Sequence, residues 1–126
     1  MIFEAPLESD LTRDLFKFWV GTFGEPLDLP PEVFLGAESE HNRHIVYLTR
    51  RDGRLAGTCA LAISSSLPAL GGFGEVATDP QFRRIGIATE LCRQAVEDFR
   101  TSGGQALFLG TDNADAARLY RRLGWR

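Results

Sequence analysis

Residues 73–91 read FGEVATDPQFRRIGIATEL, and the fold turns on how this stretch is understood. Residues 73–78 suit a β-strand, Asp79-Pro80 a turn, and a helix starts near Ala88. The residues between strand and helix would carry unpaired N–H groups at the positive end of a helix dipole, which favours an anion, above all a phosphate. Gly86 has no Cβ to hold a phosphate away from the backbone, Ala88 is the next smallest side chain, and Arg83 and Arg84 supply positive charge. Taken alone, the stretch fits equally a plain loop-to-helix junction with solvated arginines. No GxGxxG follows a strand and no GxxxxGK[ST] occurs, which weighs against nicotinamide cofactors and nucleoside triphosphates.

Downstream, the helix of residues 88–102 places Leu91, Cys92, Ala95, Val96 and Phe99 on one side and ends at Gly103-Gly104. ALFLG (106–110) is a fully apolar strand of the kind found beside a parallel neighbour, and a helix over 114–123 follows Asn113 and stops at Gly124. Upstream, IFEA forms a first short strand and Asp10 caps a helix over 11–20, where Leu11, Leu15, Phe18 and Trp19 recur at helical spacing. Pro30-Pro31 opens a short helical piece. Two β-rich runs, 44–50 and 54–64, flank Asp52-Gly53, a hairpin signal; SSSLPALGG (64–72) reads as a loop. The expected fold is α/β (α+β): one domain over 1–126 with a mixed, mostly antiparallel sheet and helices on both faces.

A chain of 126 residues, 44% hydrophobic and 25% charged, is an ordinary globular composition. No apolar run approaches a membrane span and the start has no signal-peptide pattern, so neither a membrane nor secretion is expected. Cys59 and Cys92 lack metal-ligand spacing and fit small buried hydrophobes in a reducing cytoplasm. His41 and His44 fall on opposite sides of a strand and have no evident third partner, so no metal is expected. The net charge of −3 hides a split: residues 1–40 hold nine acidic side chains against Arg13 and Lys17, while the remainder holds twelve basic and eight acidic. Two solvated faces of opposite sign, or two ligands of opposite sign, account for it. The clusters Arg50-Arg51 with Arg54, and Arg118 with Arg121-Arg122, lack interleaved aromatics, so no nucleic-acid partner is expected.

The run TDPQFRRIGIA followed by DNADAARLYRRLGW resembles the GCN5-related N-acetyltransferase superfamily over about residues 73–126. Its phosphate signature, [Q/R]-x-x-G-x-[G/A], is matched by Arg83, Gly86 and Ala88. Its second signature, Asn with Tyr seven residues later ahead of Gly-Phe, is matched by Asn113, Tyr120 and Gly124-Trp125, with Trp in place of Phe. The resemblance implies that acetyl-CoA lies where two parallel strands, 73–78 and 106–110, splay apart. Val76, Ala77 and Thr78 would bond the pantetheine arm, one of their N–H groups polarising the thioester carbonyl. The N–H groups of Arg84, Ile85, Gly86, Ile87, Ala88 and Thr89 would hold the pyrophosphate, with Asn113 on the other side of the cofactor. Residues 1–40 would wall the acceptor side, residues 41–72 would be the antiparallel strands, and residues 73–126 would bind acetyl-CoA.

The implied reaction is direct attack of a neutral amine on the thioester, with Tyr120 giving a proton to the departing thiolate. Tyr120 equally fits helix packing, in a stripe with Ala116, Leu119 and Leu123. Gly110 stands where some relatives carry a second-strand Glu, which leaves Glu75 or a water chain as the base, Glu75 equally fitting a plain solvent-facing strand position. With the CoA phosphates on the basic half, the acidic half implies a cationic acceptor, a small-molecule or peptide amine. Members of the superfamily usually continue with two further strands. This chain is therefore expected to be a piece of a longer protein, a natural minimal form, or a domain completed by a second chain or domain at the edge of residues 106–110. The alternative function is a non-catalytic acyl-CoA-binding regulatory or scaffold module.

Overall fold

A computed structural model describes residues 1–109 and Arg121. Its elements run β1 (Ile2–Glu4), α1 (Ser9–Phe23), a wide helical turn (Val33–Ala37), β2 (Asn42–Arg51), β3 (Arg54–Ser64), β4 (Leu70–Thr78), a 3₁₀ turn (Pro80–Phe82), α2 (Ile87–Thr101) and β5 (Ala106–Phe108). The sheet order is β1-β2-β3-β4-β5, antiparallel except for the parallel β4–β5 pair.

Both sheet faces are covered because β2 and β3 carry apolar residues at odd and even positions alike; residues 44–48 are buried without interruption. On one face Leu15 and Trp19 of α1 pack with Phe34, Val46, Leu48 and Ala60. On the other Leu91, Cys92, Ala95 and Phe99 of α2 pack with Tyr47, Cys59, Leu61 and Phe73. The two cysteines are free and buried; hydrogen bonding with Cys92 and burial push the Cys59 thiol up. The expected mixed sheet with helices on both faces is what the chain forms. The β2–β3 hairpin turns at Asp52 (φ 53°) and Gly53 (φ 76°), the two left-handed residues that a type I′ turn needs.

Several element boundaries differ from the sequence reading, most of all in α1 and β4. Helix α1 starts at Ser9 after Glu8, which makes no side-chain cap bond, and ends at Gly24 rather than near Val20. Asp10 is not the cap; it lies in the first turn, paired with Arg13 at 3.2 Å. Strand β4 starts at Leu70, inside the segment expected to be a loop. Packing overrides the loop signal of Gly71-Gly72, because Gly71 sits so tightly on Phe99 and Leu107 that a Cβ there would lie 2.9 Å from the Phe99 ring. Among the described residues β5 extends over Ala106–Phe108. The helix expected over 114–123 lies outside the described residues, Arg121 excepted, as do Gly110, Asn113 and Tyr120.

Candidate active site

The parallel β4–β5 ladder is short. Leu70, Gly71 and Gly72 pair with Ala106, Leu107 and Phe108, whereas β4 runs on to Thr78. Among the described residues, no strand lies beside residues 74–78 on the β5 side. Val76, Ala77 and Thr78 lie on this stretch; Gly110, the end of the other strand expected to splay from it, lies outside the described residues.

A β-bulge interrupts β4 within this stretch. Ala60 faces Gly74, but Thr58 already faces Ala77, so Cys59 stands opposite both Glu75 and Val76. Glu75 takes φ 53°, a left-handed conformation that L-residues with a Cβ seldom adopt. Its displaced carbonyl accepts the Thr58 hydroxyl at 2.7 Å, and Thr58 Oγ1 in turn accepts the Trp19 indole N–H at 2.9 Å. Both side chains are buried.

The turn after β4 is braced from several sides. Asp79 accepts the Gln81 N–H at 2.8 Å, and Arg54 bonds Gln81, pairs with Asp79 at 3.6 Å and lies over the Phe82 ring at 5.5 Å. Arg83 reaches back to the Thr78 carbonyl at 3.4 Å. Arg84 (φ 66°) and Gly86 (φ 85°) both take left-handed backbone, a conformation from which anion-binding concavities of N–H groups are built. A Cβ at Gly86 would meet no atom within 4 Å, so its conformation, not crowding by the protein, favours glycine. The first helical bond of α2 runs from the Glu90 N–H to the Gly86 carbonyl. The N–H groups of Arg84, Ile85, Gly86, Ile87, Ala88 and Thr89 find no acceptor among the described residues. Arg84, Ile85 and Gly86 are exposed and Ile87 is buried, wedged so close to Gly57 that a Cβ there would lie 2.5 Å from its Cγ2. This cradle has the donor set of a phosphate site.

On the α1 face of the sheet lies a cleft of about 200 Å³, walled by Leu29, Phe34, His44, Gly72, Glu75 and Phe108 among others. Gly72 and Gly74 leave its floor bare, since a Cβ on either would meet nothing within 4 Å. Glu75 is half-buried in this wall, so a solvent-facing position does not describe it. Burial and the nearby Asp28 charge hold its carboxyl above the usual carboxylate range.

His44 is buried in the same wall, its Nε2 3.0 Å from Glu38 Oε1 and its ring 5.6 Å from that of Phe34. His41 lies in the turn before β2, and no group of three His, Cys, Asp or Glu side chains is placed for a metal among the described residues. No helix among them is long and apolar enough to cross a membrane. The sequence reading missed Trp19 and Thr58 as parts of this site and saw His44 only as an unconvincing metal ligand. Nothing local marks a hydroxyl that meets its partners across 39 and 17 residues of chain.

Over residues 9–125 the sequence matches the Acetyltransferase (GNAT) family. The fold superposes on an acetyltransferase from Trypanosoma brucei with TM-score 0.69 at 21% identity, over 100% of this chain and 93% of that one. The ribosomal-protein-S18-alanine N-acetyltransferase of Escherichia coli gives 0.72 at 19% identity, over 98% and 77%. An aminoglycoside acetyltransferase from an uncultured soil metagenomic sample, in complex with sisomicin, gives 0.69 at 16% identity, over 98% and 85%. At these identities the likeness is one of fold. Among curated proteins none matches the chain.

Proposed function

The chain belongs to the GNAT acetyltransferase family, and from that premise we propose that it transfers an acetyl group from acetyl-CoA to a primary amine by direct attack of the neutral amine on the thioester. The observation that carries this reading is the cradle at the head of α2, where the N–H groups of residues 84–89 find no acceptor among the described residues, set beside a β4 whose residues 74–78 have no strand on the β5 side among them. The cradle is suited to the pyrophosphate, with Arg83 and Arg84 beside it. The free backbone of Val76, Ala77 and Thr78 is suited to the pantetheine arm, and one of its N–H groups to the thioester carbonyl, where negative charge grows during attack. In this reading Asn113 contacts the cofactor from the far side.

Glu75 is the base. A carboxyl held above its ordinary range takes a proton from an ammonium more readily, and Glu75 borders the cleft through which an acceptor approaches. Tyr120 donates to the departing thiolate; a phenol near pKa ~10 lies only a little above an alkyl thiol near ~8.5. The acceptor is cationic, a small-molecule or peptide amine, drawn by Glu75, Asp28 and Glu38 and seated on Phe34 and Phe108.

The test is thiol release from acetyl-CoA across a panel of amines, with Tyr120→Phe and Glu75→Gln beside the parent chain. Tyr120→Phe should lose roughly 10²–10⁴-fold in kcat at saturating acetyl-CoA. Glu75→Gln should remove the acidic limb of the pH–rate profile, a limb displaced upward from that of a free carboxylate. Full kcat in Tyr120→Phe, or an unshifted profile in Glu75→Gln, would overturn the corresponding assignment. Binding of CoA with no turnover on any amine would make the chain an acyl-CoA-binding module instead.

A further inference from the structure

The bulge at Glu75 is held by two side chains that do not themselves line the cleft. Thr58 is completely buried, and its hydroxyl has one proton and two neighbours. An indole N–H can only donate, so Trp19 must give to Thr58 Oγ1, and the threonine proton must go to the Glu75 carbonyl. The direction of the chain Trp19→Thr58→Glu75 is therefore fixed, and it ends on the one residue of β4 that is both left-handed and in the cleft wall. In a regular ladder that carbonyl would bond a backbone N–H of β3. The side chain of Thr58 replaces that donor and allows two residues of β4 to stand opposite Cys59 alone.

We propose that Thr58 and Trp19 are positioning residues of the acyl-transfer site. They lock the bulge, and so set both the direction of the N–H groups of residues 76–78 and the side on which the Glu75 carboxylate emerges. The proposal rests on the acetyl-transfer reading for its catalytic consequence, but not for the lock itself. Trp19 belongs to α1 and its ring lies 5.3 Å from that of Phe34, which lines the cleft, so the lock ties α1 and the cleft wall to β4.

Three variants separate this role from mere packing. Thr58→Val keeps the shape and removes donor and acceptor together; Thr58→Ser keeps the hydroxyl and drops the methyl; Trp19→Phe keeps a ring and removes the N–H. Thr58→Val should lower kcat by on the order of 10–100-fold, as displaced oxyanion donors do. CoA affinity should stay within about threefold, because the pyrophosphate cradle on α2 is untouched. Thr58→Ser should recover most of kcat, and Trp19→Phe should lose less than Thr58→Val. Parental kcat in a folded Thr58→Val, or Thr58→Ser as impaired as Thr58→Val, would overturn the proposal.

Amide hydrogen exchange gives a readout that needs no activity. In Thr58→Val the amides of residues 76–78 should exchange at least ~10-fold faster relative to Ala95 in the core of α2 than in the parent. Equal relative rates would overturn the lock. A parent chain that turns over no amine, with the exchange difference present, would instead remove the acetyl-transfer reading and leave the lock standing.

Discussion

Strands β2 and β4 lie in one sheet and are built to opposite specifications. Residues 44–48 of β2 are buried on both faces, paired on both edges and drawn from the apolar and aromatic residues that favour strands, His44 excepted. Strand β4, LGGFGEVAT, has three glycines, a left-handed glutamate and a bulge, and over residues 74–78 no strand lies on its β5 side among the described residues. The contrast teaches where each kind of free energy resides. The proposed acyl site needs unpaired backbone donors, and a strand that keeps them unpaired gives up ladder bonds. Strand β4 therefore draws its rigidity from its neighbours: Thr58 on β3, Trp19 on α1, and Phe99 against Gly71.

The contrast is easiest to break from the stable side. Leu48→Ala, a completely buried position in β2, should cost about 2–5 kcal/mol in urea unfolding, yet leave CoA affinity unchanged in the folded fraction. A large affinity loss there would mean that β2 and the binding side are not separable. Gly86→Ala puts a Cβ on a residue at φ 85° and should cost about 1–2 kcal/mol. Its affinity loss should exceed its stability loss, because the added methyl points into the space assigned to the phosphate.

Glu75→Gln sharpens the comparison through pH. The folded carboxyl has a raised pKa, so the folded state holds its proton more firmly than the unfolded chain. Its contribution is therefore most favourable below the unfolded value near ~4.5 and is lost as pH rises through the folded value. Replacing it with Gln should raise Tm at pH 7, and the gain should fade toward pH 4; a gain that grew on acidification would contradict this assignment. The smallest effect belongs to Glu4, which Arg43 bonds at 2.7 and 3.1 Å and holds below the usual carboxylate range. Both side chains are about half exposed (44% and 48%), so Glu4→Gln should cost only about 0.2–1 kcal/mol at pH 7. That cost should vanish as pH falls through the lowered folded pKa.

Local features were the legible ones. The Asp52-Gly53 turn, the apolar face of α2 and the glycine at its head each need only a few neighbouring residues, and each stands where the sequence places it. The start of β4 was not legible, because Gly71-Gly72 reads as loop until Phe99 and Leu107 are packed on it. Nor was the state of Glu75. Its left-handed φ, its burial in a cleft and the charge of Asp28 all come from segments distant in the chain. His44 shows the same limit, since its partner Glu38 precedes β2 and its place in the cleft depends on Phe34 and Phe108.

The most direct test follows backbone amides during a titration with CoA, and again with pantetheine, which lacks the diphosphate. The account predicts saturable shifts for CoA centred on Ile85, Gly86, Ile87, Ala88 and Thr89, extending to Val76, Ala77 and Thr78. Pantetheine should move only the latter group, and with much weaker affinity. Shifts confined to other parts of the sheet, or no saturable response to CoA, would contradict it.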